Sequence, residues 1–299
     1  MSLIMMKSKP SSKNLAKVGL KILPFILFLS ACNSSVAPSF LKENIPQAVS
    51  DLCRKEYQLN LITKLVGQTL WVYMPLEDII TKPQKPEKYI ERFLVEDKKN
   101  SLSEGILKVS YSIKPVEEKE LKQEMALDKA VNEKIFNVLQ VIRRVLFSTD
   151  HSKINNPLFF CIVTADIKNG FEIKQVFHLS DLKKLSYGFI SQTEYQHRII
   201  QDSTISALII GDSQGTHLDY QNITLEDFIA NQIQNRIKIK FQKPEVEKNA
   251  DIDKEVLKIV TYTIDAYNFR NFYLLEMIDL LNAKKTILNR AAVLGNSRD

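Results

Sequence analysis

Cys161 and His178 are placed to do chemistry together if the segment between them folds back on itself. They belong to the stretch "PLFFCIVTADIKNGFEIKQVFHL", residues 157–179. Its Asn169-Gly170 dipeptide suits a type I′ turn, because both residues tolerate positive φ and the twist of that turn matches paired strands. With those two residues as the loop, Lys168 stands opposite Phe171 and Cys161 opposite His178. Directly opposed residues hold their Cβ atoms about 5 Å apart, close enough for an imidazole to draw off a thiol proton and leave a nucleophilic thiolate. The pairing depends on register, since a three-residue loop sets Cys161 against Phe177. No third group is identifiable as an orienter of the ring, and the plainer alternative is a small buried cysteine packed beside a histidine.

Other residue types fall at spacings that chemistry uses. Glu194 and His197 lie three apart, which puts a carboxylate and an imidazole on one helical face as in bundle metal sites, but the further ligands such a site needs are not evident, so no metal is expected. Asp212, His217 and Asp219 cluster around a glycine-containing turn without the spacing of a calcium loop. Trp71, the sole tryptophan, and Tyr73 share one face of a strand in "LWVYMPLED" and are candidates to stack on a glycan or hydrophobic ligand; the alternative is core packing. Arg236, Lys238 and Lys240 in "NRIKIKF" are candidates to touch anionic lipid heads, against the alternative of a solvated helix side. In an oxidising compartment Cys53 and Cys161 could be joined as one disulfide; two unpaired buried thiols are the alternative.

Several function classes are disfavoured by what the chain lacks. Its eight glycines form no phosphate-cradling loop or dinucleotide fingerprint, and neither a nucleophile elbow nor a zinc-protease motif occurs. No cofactor is implied. The formal charge of +6 is misleading, because Lys7, Lys9, Lys13, Lys17 and Lys21 precede Cys32 with no acidic residue among them, and +6 less those 5 is +1 for the rest. A nearly neutral chain has no global electrostatic footprint for nucleic acid. Charged residues at 25% and apolar residues at 44% are ordinary globular values, so a packed core is expected.

Those lysines also begin a recognisable layout. They feed a short apolar run, Ile22 to Ala31, which stops at Cys32 and turns polar. A bilayer-spanning helix needs about 20 apolar residues, and Lys21 and Asn33 bracket half of that; a secretory signal has this shape. Its end, Leu29-Ser30-Ala31-Cys32, resembles the lipobox of bacterial lipoproteins. The resemblance implies that Cys32 takes a diacylglycerol thioether and becomes the new N-terminus. Two or three acyl chains, at about 0.8 kcal/mol per buried methylene, hold far better than the single chain that binds reversibly. Asn33, which is not aspartate, makes the outer membrane facing the periplasm the default location that the resemblance implies. The alternatives are an ordinary cleaved signal with an incidental cysteine, or an N-terminal helix packed on the domain.

The elements that must position the candidates follow from periodicity. Residues 1–31 read as signal peptide and 32–40 as a tether; 299 less 31 leaves 268 residues, enough for one large domain or two small ones. Leu41 to Tyr57 reads as a helix, and two apolar runs split at Gly67 as a hairpin. "YIERFLVE" and "GILKVSYSI" read as strands, the second with Leu107, Val109, Tyr111 and Ile113 on one face. A long amphipathic helix from about Val116 to Phe147 is the expected cover for that face. Leu158 to Val163 reads as a central strand, Leu179 to Ile200 as one or two short helices, and 205–220 as a small hairpin around Asp212 to Gly215. Thr224 and Asp227 form a capping pair for a helix that Pro244 ends, and Ile252 to Tyr267 reads as another helix.

The expected class is α+β, a mainly antiparallel sheet of about six strands packed by the long helix in 41–222, with a helical C-terminal part in 223–299 packed on the same domain. The expected role is that of a lipid-anchored cell-envelope protein that binds or scaffolds, with the membrane as partner through Cys32 and an envelope protein or glycan beyond it. The alternative is an envelope-tethered enzyme using Cys161 and His178.

Overall fold

The computed structural model describes residues 44–123, 125–147, 157–242 and 246–295. Cys32, the segment before it, the tether and Pro244 lie outside them.

Helix α1 (Ile45–Tyr57) starts where the Asn44 side chain accepts the Gln47 amide at 3.2 Å, and it ends at Gln58 in the left-handed region. Strands β1 (Ile62–Val66) and β2 (Thr69–Leu76) form the hairpin expected around Gly67. Then come β3 (Ile80–Thr81), β4 (Lys88–Val95), β5 (Ser101–Ser103), β6 (Ile106–Tyr111), β7 (Ile113–Lys122), β8 (Ala126–Leu127) and helix α2 (Lys129–Phe147). Strands β9 (Phe159–Asp166) and β10 (Phe171–His178) lead into helices α3 (Leu179–Ser186) and α4 (Gln192–His197), strand β11 (Ile200–Ile205) and a 3-10 turn at Ala207–Ile209. Helices α5 (Leu225–Gln242) and α6 (Ile252–Ala266), a hairpin of β12 (Leu274–Asp279) and β13 (Lys284–Asn289), and short α7 (Arg290–Gly295) complete the described chain.

The architecture is mixed α+β around a five-stranded sheet ordered β1-β2-β9-β10-β11, antiparallel throughout except for the parallel neighbours β2 and β9. All eight residues of β9 are buried, as expected of a central strand apolar on both faces. Strand alternation divides the core in two. On one face Leu70, Val72, Met74, Phe160 and Ile162 meet α1 and α2 through Val49, Cys53, Val138 and Ile142. On the other, Trp71, Tyr73, Phe159, Cys161 and Val163 join Phe228, Ile233 and Ile237 of α5 and Val256 and Val260 of α6. Each fully buried aliphatic or Phe side chain contributes about 1.5–3 kcal/mol by leaving water.

Four expectations are corrected by the structure. The long helix begins at Lys129, where Asp128 accepts the Ala130 amide at 2.8 Å, and not near Val116. Residues 113–122 instead pair with β4 as a ribbon laced by Lys88–Glu120 at 2.8 Å and Arg92–Glu118 at 3.0 Å. The charged residues that resemble a solvated helix side are cross-strand partners. Nor does α2 cover Leu107 and Val109: those residues belong to the cluster that holds α5 and α6, while α2 packs on the opposite face of the central sheet.

The C-terminal part is not purely helical. Strand β12 pairs parallel with β6 and antiparallel with β13 in a second sheet ordered β13-β12-β6-β5, so the sequence order of the strands conceals their pairing. The hairpin expected at 205–220 is absent: after Ile205, the last residue of β11, the segment is a 3-10 turn followed by a loop laid against the sheet.

Candidate functional site

The Cys161–His178 pairing fails on register. Asp166 stands opposite Phe171, so the loop has the four residues Ile167 to Gly170, and Cys161 faces Val176 while His178 faces Phe159. The cause is Asp166. One of its carboxylate oxygens accepts the amides of Lys168 at 3.2 Å and Asn169 at 2.9 Å, and the other accepts the Ile79 amide at 2.9 Å. This side-chain turn closes the strands one pair earlier than Asn169-Gly170 alone would. Because the slip is two residues in the sum of partners, Cys161 and His178 stay on one face, with the Phe159 ring 5.2 Å from the imidazole centroid. Rings of Phe228 and Tyr267 at 5.6 and 5.5 Å enclose the histidine further, and its Nδ1 meets Ser180 Oγ at 2.6 Å. Burial lowers its pKa, and burial pushes the Cys161 thiol up to about 12.

Cys53 and Cys161 are both free and buried, and they belong to the two clusters on opposite faces of the central sheet, so of the two alternatives the structure has the unpaired thiols. Burial raises Cys53 to about 12 as well. Trp71 and Tyr73 are sealed rather than open to a ligand: Trp71 is 4% exposed and Tyr73 0%. Trp71 Nε1 donates to the Gln221 carbonyl at 2.8 Å, and the Tyr73 hydroxyl donates to the Asp212 carbonyl. Both serve to seat the 211–223 loop.

Of the turn cluster, the fold brings Asp212 and His217 together and sends Asp219 elsewhere, to the side chain of Gln221. The third member is Glu172 of β10, for which the sequence carries no local signal. No group of three acidic, histidine or cysteine side chains among the described residues could hold a metal ion, in keeping with the saturated pairing of this cluster.

Glu194 is held by two arginines and a tyrosine. Its Oε1 accepts from Arg198 Nε at 2.7 Å, from Arg236 at 2.7 Å and from the Tyr262 hydroxyl at 2.9 Å. Arg198 also donates to Asp181 Oδ1 at 2.8 Å, and the Tyr267 hydroxyl donates to the other oxygen of Asp181 at 2.7 Å. Burial raises the Glu194 carboxyl, but the hydrogen bonds from Arg198 and Arg236 outweigh it and hold the group below its ordinary value. This network ties α3, α4, α5 and α6 into one assembly and orients Arg236, whose guanidinium lies 4.7 Å from the Tyr262 ring centroid.

Beside that assembly lies a groove of about 310 Å³ between α5 and α6, reached by His197 at the end of α4. Arg236, Ile239 and Lys240 line it from one stripe of α5, and Glu255, Lys258, Ile259 and Tyr262 from one stripe of α6, the i, i+3, i+4 spacing that puts side chains on a common helix face. Of the basic tract seen in the sequence, Lys238 is engaged by Asp97 and stands outside this lining, whereas Arg236 and Lys240 are part of it. The groove can receive a ligand that presents both charge and apolar surface.

Comparison of the chain with known protein families, with curated proteins and with solved structures finds no match.

Proposed function

We propose that this chain is a lipid-anchored protein of the bacterial cell envelope, moored through acylated Cys32, whose folded part binds or scaffolds. The observation that carries the reading is the order of lysines, short apolar run and Leu29-Ser30-Ala31-Cys32, which matches the demands of export and lipid attachment. Among the described residues no helix is long and apolar enough to cross a membrane. Asn33 after the cysteine supports the outer membrane facing the periplasm as the resting place. An envelope protein or a glycan is the class of partner this position offers.

The tethered-enzyme alternative asks Cys161 to face His178, whereas Phe159 faces that histidine and the thiol is buried, which favours the binding reading. Mass spectrometry of the N-terminal peptide from native cells tests the anchoring: a diacylglycerol-modified Cys32 is expected, with Cys32→Ser shifting the protein from the membrane to the soluble fraction. An unacylated N-terminus on the native protein would falsify the proposal.

A further inference from the structure

The groove between α5 and α6 defines its ligand by which of its charges are already neutralised. Lys258 pairs with Glu255 at 2.6 Å, and Arg236 with Glu194 at 2.7 Å. Lys240, half-buried in the lining, makes no ion pair among the described residues. Beside it stand the apolar side chains of Ile239 and Ile259 and the ring of Tyr262, which is 47% exposed. The Nε of Arg236 is buried without a hydrogen-bond partner, a donor the fold itself leaves unsatisfied.

We propose that this groove binds a small amphipathic acid, its single carboxylate or phosphate held by Lys240 beside Arg236 and its apolar stem laid on Ile239, Ile259 and Tyr262. One uncompensated cation suits one anionic group and falls far short of the several needed along a nucleic-acid backbone. A bare inorganic anion would leave the apolar wall in water, and a neutral apolar compound would strip water from Lys240 without replacing it. At about 310 Å³ the groove is at the small end of ligand sites, which span roughly 300–1,000 Å³, and that favours a diffusible acid over a two-chain phospholipid. The inference rests on the binding half of the function proposed above and is independent of the lipid on Cys32.

Calorimetric titration of the full chain carrying Cys32→Ser tests it, with octyl phosphate, butyl phosphate, octanol and inorganic phosphate as probes. Octyl phosphate is expected to bind, with butyl phosphate weaker by about tenfold or more as apolar contact is lost. Lys240→Ala is expected to weaken octyl phosphate by about fivefold, the upper end for one solvent-accessible ion pair. Ile239→Asp should abolish binding, and Lys238→Ala, outside the lining, should leave it unchanged; thermal melts confirm that each variant folds. No binding of octyl phosphate, equal binding of octanol or inorganic phosphate, or equal behaviour of the Lys240 and Lys238 variants would overturn the proposal. Phosphatidylcholine vesicles with and without phosphatidylglycerol separate the two sources of such an acid: neither is expected to displace octyl phosphate, and displacement by the anionic vesicles alone would overturn the diffusible acid in favour of a membrane lipid. Failure in any of these arms leaves acylation of Cys32 untouched, because that is read separately by mass.

Discussion

Nε2 of His217 lies 2.9 Å from Oε2 of Glu172, a residue 45 positions earlier on a strand of the central sheet. On its other side Nδ1 meets Oδ2 of Asp212 at 2.5 Å, and the ring sets its edge against Tyr73 at 5.8 Å. One imidazole thus clasps the loop after β11 to the face that carries Trp71 and Tyr73. The loop can come close there because Gly215 has no side chain: a Cβ would fall 2.5 Å from the Tyr220 hydroxyl and 3.0 Å from the Tyr73 ring, and its φ of +67° is left-handed.

The clasp makes stability depend on pH. Burial disfavours the charged ring, but the hydrogen bonds to Glu172 and Asp212 and the charges of both carboxylates raise His217 above its ordinary value. A raised histidine contributes stability that is complete below its unfolded value of about 6.5 and is lost as pH rises through the folded value. Asp212 is held far below the carboxylate range, so its share survives until strong acid. The melting temperature is expected to fall as pH is raised from 6 to 9, and His217→Gln should flatten that slope. Parallel slopes for the two proteins would show that the ring does not titrate in this window.

Both thiols of the folded part are expected to be inert. Burial sets Cys53 and Cys161 near 12, so almost no thiolate exists at neutral pH, and neither sulfur reaches solvent. In the Cys32→Ser chain, an aromatic disulfide reagent at pH 8 should label no thiol in the native state and both after denaturation. Rapid native labelling of Cys161 would revive a nucleophilic role.

The Asp181–Arg198 pair is the most enclosed ion pair of the assembly, with the two side chains 2% and 6% exposed. Removing one member leaves the other charged and dry, so Arg198→Met is expected to lower stability by about 3–5 kcal/mol. Adding Asp181→Asn to that variant should recover part of the loss, because the stranded carboxylate is then gone. Urea unfolding of both proteins gives the comparison, and an Arg198→Met chain as stable as the parent would show that the pair carries no such weight.

What was legible in the chain is what depends on near neighbours. The hairpin split at Gly67, the Thr224–Asp227 cap of α5 with its 3.1 Å amide bond, and helix α6 follow from turn chemistry, capping and a 3.6-residue period, all of which act over a few residues. The alternation of Leu107, Val109 and Tyr111 correctly marked a buried face. It did not say what buries that face, since α2, α5 and α6 all carry apolar residues that could cover it. The stretch from Val116 to Lys122 shows the limit most plainly: alternating charge there fits a helix side or a strand ribbon equally, and only the presence of β4 decided between them.

The amino-acid sequence by itself determined the local elements, the apolar positions and the order of residues that ends at Cys32, because each is set by side chains adjacent along the backbone. Tertiary structure alone decided that Asp166 shortens the β9–β10 pairing, that Glu172 meets His217, and that Arg236 and Lys240 share a groove with Ile259 and Tyr262. Those outcomes depend on where distant segments come to rest, and a carboxylate or a lysine carries no mark of its partner until burial has excluded water and brought the two together.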